Sequence, residues 1–411
     1  MKRALAVVFA AAALTACKHD APLPGGADEP SASMTDAGAI NDARDAGGAI
    51  AEARDGGALQ DAARSAGAAA GKVVAGAREA AAEVGAAGRE AAGAARAAID
   101  PVKLPPAPEL PATPAFLGAV EDPKDNPTTK EKAALGHQLF FDKRLSKSGE
   151  MRCESCHHPE QAWTSGEALD KKDDGKLNKR NAPTMENLGY HQSFYWDGRK
   201  PTLEAVSLAA WTGQLAADPK ETAAKLNAVA VYRAAFQRAF NEDATPENVP
   251  KALSSFLRAL KSGDAPWDKF EGGDKKAVSK EAKRGYALFL KSRCTLCHVP
   301  PLYTDSLFHN VGAGAGEDHG RMDATKDAKD DGKFKTPSLR DVAKTGPYFH
   351  DRSVKTLAEA IALMASGGKK NANLDEKLKS AKLAAKDQKA VRAFLETLSG
   401  TATYSTAPDL P

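Results

Sequence analysis

Long apolar runs are scarce in this sequence. One lies at the start, from Ala4 to Leu14, and it is too short to span a bilayer. No later stretch is apolar enough, which excludes a polytopic helical membrane protein. Strong charge of one sign is also missing. The formal net charge is +3, and the 27% of charged residues are well mixed, too weak a bias to mark nucleic acid or a bulk acidic partner. Residues with β-branched side chains are sparse and no alternating pattern of useful length occurs, which argues against a sheet-based fold. Cysteines number five, and their placement leaves none for a disulfide. One is Cys17, and the others form two Cys-x-x-Cys-His motifs.

The chain opens MKRALAVVFAAAALTAC, two cations followed by the short apolar run. This is the layout of a secretory signal over residues 1–16. Leu14-Thr15-Ala16-Cys17 looks like a bacterial lipobox, in which Cys17 takes lipid and becomes the mature N-terminus. A lipid there anchors a protein without any spanning helix. From Lys18 to about Asp100 the residues are mainly Ala, Gly, Asp, Glu and Arg. Such composition cannot bury enough apolar surface to offset its ordering entropy. The proline-rich segment DPVKLPPAPELPATPAF follows, a semi-rigid spacer by composition. Residues 17–114 therefore read as a lipid-anchored, disordered Ala/Gly-rich and Pro-rich tether.

The remaining residues read as helical. Thr128-x-x-Glu131 predicts a capping box opening a helix with Leu135, Leu139 and Phe140, and Ser279 predicts a second cap. The two halves also repeat each other. Gly136-His-Gln-Leu-Phe140 precedes CESCH, and Gly285-Tyr-Ala-Leu-Phe289 precedes CTLCH. Residues 181–206 are echoed by 335–361, with Pro-Thr/Ser, an aromatic group before Asp/Gly-Arg, and a Thr-Leu helix start. The expectation is an all-α fold of two tandem cytochrome c-type haem domains, 115–262 and 263–400, with a tail at 401–411.

The spacing Cys-x-x-Cys-His lets two thiols form thioethers with haem vinyls while the next residue reaches the iron. Cys153, Cys156 and His157 form one such site, and Cys294, Cys297 and His298 the other. Structural zinc would want further Cys or His ligands at regular spacing. The second site has a candidate sixth ligand in Met364, at the end of the helical segment Leu357–Met364, with Met322 a weaker alternative. Aligning Thr202-Leu203 with Thr356-Leu357 puts Ala209 or Ala210 where Met364 stands. Alanine cannot ligate iron. His158 follows the proximal ligand directly and cannot reach the far side, while His137 and His191 remain distant candidates for it.

From Leu117 to Leu398 the sequence resembles the bacterial dihaem cytochrome c peroxidase family, which includes the MauG-type enzymes. The residues carrying the resemblance are LFFDKRLSKSG, RNAPT at 180–184, FYWDGR at 194–199, DAPWDKF at 264–270 and GPYFH at 346–350, beside the two motifs. It implies that the first haem activates hydrogen peroxide and that the second, His/Met, takes electrons from a small donor. It also implies that Trp196 lies between the haems. One calcium is implied there too, on the side chain of Asn181 and the carbonyls of Thr345 and Pro347. Two departures concern the first site. The loop before RNAPT holds no histidine, and the family's distal glutamate falls on Gln214. A third is that the MauG-type branch has tyrosine where Met364 stands.

The expected activity is that of a periplasmic cytochrome-c peroxidase with a cytochrome c or cupredoxin donor and catalytic residues Trp196 and Gln214. MauG-like oxidation of a protein or small molecule is one alternative, and a non-enzymatic electron-transfer or redox-sensing cytochrome is another. Oligomeric state stays open, a homodimer among the choices, and no nucleic-acid partner is expected.

Overall fold

The computed structural model describes residues 102–411 apart from 168, 315–317, 381–382 and 405. The leader, Cys17 and the tether as far as residue 101 lie outside the described residues. Among the described residues no helix is long and apolar enough to cross a membrane.

The structure is mostly helical, as the patterning predicts. The first half contains α1 (Lys130–Phe140), α2 (Leu203–Gly213), α3 (Pro219–Asn227), α4 (Ala230–Phe240) and α5 (Asn248–Ala259). The second contains α6 (Pro266–Glu271), α7 (Lys280–Lys291), α8 (Met322–Thr325), α9 (Leu357–Ala365) and α10 (Ala385–Glu396). The strands among the described residues are two residues long. β1 (Ser262–Gly263) pairs antiparallel with β4 (Thr401–Ala402), and β2 (Phe308–His309) with β3 (Phe334–Lys335).

Each half is built on one close helix pair. In α1, a Cβ on Gly136 would stand 2.0 Å from the Ala252 carbonyl oxygen of α5. In α7, a Cβ on Gly285 would stand 1.9 Å from the Ala390 oxygen of α10. Glycine lets the two backbones meet, and Phe256 or Phe394 packs beside the crossing. Around these pairs lie two separate cores, one with Leu135, Trp163 and Phe256, the other with Trp267, Tyr303 and Phe394.

The repeat extends to the loops. Thr202 caps α2 by accepting from Ala205 N, and Thr356 caps α9 by accepting from Glu359 N. Before each cap lies a narrow turn, closed by Phe194–Lys200 in one half and Tyr348–Val354 in the other. Left-handed residues recur in pairs: Asn187 with Asp341, Tyr195 with Phe349, and Gly198 with Arg352. Ser279 caps α7 as predicted, its side chain accepting from Ala282 N. The other predicted cap is displaced by one residue. Thr129, not Thr128, accepts from Lys132 N, because the Thr128 hydroxyl donates to Asp122 at 2.6 Å.

Several contacts tie the halves together. The Asn181 side chain donates to the Phe349 carbonyl at 2.8 Å, and Lys335 N donates to Trp196 O at 2.7 Å. Buried Arg180 bridges Asp197 of the first half and Asp318 of the second, at 2.6 and 2.7 Å. These carboxylates and the guanidinium are charge-assisted partners in a nearly dry setting. Proline-rich residues also touch the body: Arg238 donates to Pro105 O, and Lys261 to the Thr113 hydroxyl.

Candidate functional site

Cys153 and Cys156 flank a single 3-10 turn, Cys153–Ser155, and Cys294 and Cys297 flank another, Cys294–Leu296. The following histidines are held alike. His157 Nδ1 lies 2.9 Å from the Trp163 carbonyl, and His298 Nδ1 lies 2.8 Å from the Tyr303 carbonyl. A carbonyl can only accept, so each Nδ1 carries the proton and each Nε2 keeps its lone pair for a ligand. Trp163 and Tyr303 are both fully buried with positive φ, a turn that aims the carbonyl back at the ring. Burial pushes His157 down to about 4, so it is a neutral imidazole at ordinary pH. Burial also pushes the Cys153 and Cys156 thiols up to about 12 and Cys294 to about 11. Among the described residues one group could gather three metal donors, Cys297 with Asp305 and His309, and none gathers around Cys153.

Next to His157 lies a cavity of about 390 Å³, mainly apolar, lined by Phe140, Cys153, Cys156, Ala210, Trp211 and Gln214 among others. Ala210 follows the Thr202 cap at the same remove as Met364 follows Thr356, which resolves the choice between Ala209 and Ala210. Met364 stands half-buried in the last turn of α9, and Met322 opens the short α8. Gln214 caps the end of α2. Its Oε1 is buried with no partner, and its Nε2 lies 3.5 Å from Asn178 Oδ1. This places a buried amide oxygen beside the cavity, where it could accept a hydrogen bond from a molecule held there.

Trp196 also lines this cavity, and its Nε1 donates to Asn181 Oδ1 at 2.8 Å. Asn181 in turn reaches the second-half loop that contains Thr345 and Pro347, bonding Phe349 O and, through its backbone, His350 O. The histidines separate clearly. His158 closes a backbone bridge with Thr164, and its Nδ1 lies 3.7 Å from Glu154. His137 stacks on Phe256 with centroids 4.9 Å apart, away from the cavity. His191 does line the cavity, with Nδ1 3.2 Å from the Ser306 hydroxyl. Burial lowers it to about 3 and leaves it neutral.

Sequence reasoning missed Lys335. It comes from the second half, lines the first half's cavity, and donates to Ser193 O at 2.6 Å. Burial pulls its ammonium down to about 8. The available signal was its place at the head of the repeated KTPS segment, beside RNAPT in the other half.

The paired thiols, the oriented imidazoles and the apolar cavity fit covalently attached haem. Residues 130–276 match the family model described as di-haem cytochrome c peroxidase. The chain belongs to the di-haem cytochrome c peroxidase family, whose members include MauG, and membership implies two haem c groups. It is 35% identical over 300 residues to the methylamine utilization protein MauG of Methylophilus methylotrophus, covering 71% of this chain and 90% of that one. It is 36% identical over 345 residues to the cytochrome-c peroxidase IdrP1 of Denitromonas iodatirespirans, covering 75% and 90%. Among solved structures it resembles a MauG-like protein associated with microbial copper homeostasis, with TM-score 0.65 and 32% identity over 70% of this chain and 95% of that one.

Proposed function

We propose that the chain is a periplasmic, lipid-anchored peroxidase that reduces hydrogen peroxide at the His157 site, using electrons taken from a small cytochrome c or cupredoxin at the His298 site. The observation that carries this reading is Ala210. The helix that supplies a methionine in one half supplies a methyl group in the other, and that methyl group faces a cavity beside His157. Cys153, Cys156 and His157 would hold one haem c, which would supply redox chemistry toward peroxide beside an α2 residue that cannot ligate it, and Cys294, Cys297 and His298 would hold the other as an electron store.

The chain's own groups set the conditions for that chemistry. Trp163 O fixes the proton on His157 Nδ1 and so leaves Nε2 as the nitrogen that would hold a metal. The Gln214 amide can donate a hydrogen bond to bound peroxide, but it cannot take its proton at ordinary pH. Trp196 stands where the two halves meet, with its indole N–H tied to Asn181. Asn181 also holds the loop of Thr345 and Pro347, and hard oxygen donors of this kind suit calcium. Calcium there would fix the spacing between the 115–262 and 263–400 domains.

A second reading, MauG-like oxidation of a protein or small molecule, is favoured by one observation. The loop between the first haem motif and RNAPT holds no histidine, which suits a haem open at rest as in the MauG-type branch, whereas Gln214, where the family resemblance implies a glutamate, favours an electron carrier. Peroxide added to the purified protein with a reduced small cytochrome separates the readings. Catalytic oxidation of the cytochrome supports the peroxidase. Peroxide consumption without it, accompanied by oxidised side chains on an added protein, supports the second. Reversible reduction with neither outcome leaves an electron carrier.

A further inference from the structure

Beside the second motif lies a buried charged cluster that neither the peroxide chemistry nor the calcium accounts for. His309, on β2, is 8% exposed. Its Nδ1 lies 2.5 Å from Asp375 Oδ2 and its Nε2 lies 2.9 Å from Asp305 Oδ2. Carboxylates accept only, and a neutral imidazole has one N–H. Satisfying both partners calls for the imidazolium, held between two anions in a nearly dry setting.

The two carboxylates belong to segments that must stay in register. Asp305 follows Tyr303, whose carbonyl orients His298. Asp375 lies beyond the end of α9, the helix that carries Met364. The backbone between these segments is also laced: Asp375 N donates to Asn310 O at 3.0 Å, and Lys369 N to Val311 O at 3.1 Å. Gly312 has φ +73, and a Cβ there would stand 2.1 Å from Lys369 O, so the two chains pass at backbone contact. Cys297 Sγ lies with the His309 and Asp305 donor atoms inside one 4.8 Å group. Lys377 Nζ stands 4.0 Å from Asp305 and offsets part of the negative charge.

The first half has no counterpart. No histidine occurs between His158 and His191, and its α2 carries Ala210 in place of methionine. The clasp and the methionine occur together and are missing together.

We propose that His309, clamped between Asp305 and Asp375, is a positioning residue that holds the Met364 segment against the His298 segment and so keeps the thioether within reach of the second iron. This rests on the reading of Met364 as sixth ligand. A thioether bond is weak among iron ligands, and it persists only where the chain holds the sulfur in place. The clasp supplies that restraint through the His309–Asp375 bond, which spans the two loops, while the Asp305 bond fixes the ring within its own loop.

The test uses the haem-loaded full chain, with His309→Gln, Asp375→Asn and Met364→Ala compared by mass, electron paramagnetic resonance and redox titration. His309→Gln should keep two haem masses and the first-site signal. Its second-site low-spin signal should diminish, and that haem's midpoint potential should fall toward the value in Met364→Ala. If Met364→Ala shifts both readouts and His309→Gln shifts neither, the clasp is overturned and the ligand stands. If Met364→Ala shifts neither, the ligand reading fails and the clasp with it. Should His309→Gln lose the second haem mass, Asp375→Asn decides by the same criteria, since it keeps His309 and its Asp305 contact.

Discussion

Replacing Gln214 by Glu puts a base where the cavity has none. The two side chains are nearly isosteric, so the end of α2 can stay in place while the Asn178 amide, which faces Gln214 Nε2 at 3.5 Å, turns to donate. Gln214 Oε1 already lies buried without a partner, so the new carboxylate loses no existing acceptor bond and enters mainly apolar surroundings. Burial raises a carboxylic acid above its ordinary value, while the cations Lys335 and Arg180 on the same cavity wall oppose that rise. A positioned general base contributes about 10²–10⁴-fold, which is about 3–5 kcal/mol of barrier. The sign in pH is fixed: the base is the deprotonated form, so the gain should appear as pH rises through the acid's raised pKa and vanish below it. Wild-type protein, with an amide, should show no such step from this position. Stopped-flow mixing of the oxidised protein with peroxide across pH reads the rate directly. A change below about threefold at every pH, with both haems attached, would refute the placement of Gln214 on the reacting side, since even the low end of the expected gain is far larger.

Two thioethers at each motif should add two haem masses to the denatured mature chain, and mass for one would sink the two-site scheme. The oxidised resting protein should give one high-spin and one low-spin resonance signal; Met364→Ala should convert the low-spin signal and lower that potential, while Ala210→Met should convert the high-spin one. Two low-spin signals at rest would mean that another side chain closes the first site. Chelation should loosen the Asn181 contact with the Thr345–Pro347 loop and slow electron transfer between the sites; unchanged turnover, with no calcium by elemental analysis, ends that assignment. Gly285→Ala must push α10 off α7 by roughly an ångström, a strain of about 1–3 kcal/mol or more, so the thermal midpoint should drop by at least about 2 °C. A drop confined within error would show that the helix pair yields without cost.

The sites that sequence could reveal were those written in local spacing. Cys-x-x-Cys-His, the Ser279 cap and the Thr202/Thr356 pair all depend on residues a few positions apart, and each has a physical reason at that spacing. The duplication extended this reach, because one half served as the template that exposed Ala210. What stayed hidden depends on residues brought together from far apart. Lys335 reaches the other half's cavity, Asp318 pairs with Arg180, and His309 meets Asp375; none of these has a local pattern. The misplaced cap is the same lesson at short range. Thr128 and Thr129 are equally good caps by type, and only the position of Asp122 decides between them.

The β1–β4 pairing has a consequence for how the protein is made. Ala402 and Tyr404 pack on the core of the first half, and Tyr404 lies over Phe256 with centroids 5.1 Å apart. Thr403 bonds Lys261 in both directions, through its backbone N–H and through its hydroxyl. An exported chain crosses the membrane amino end first, so this segment arrives after the whole of the second half. Until then the first half has one wall missing, with the Tyr404 side of Phe256 open and Gly263 unpaired. The earlier half of the molecule is therefore the later one to close.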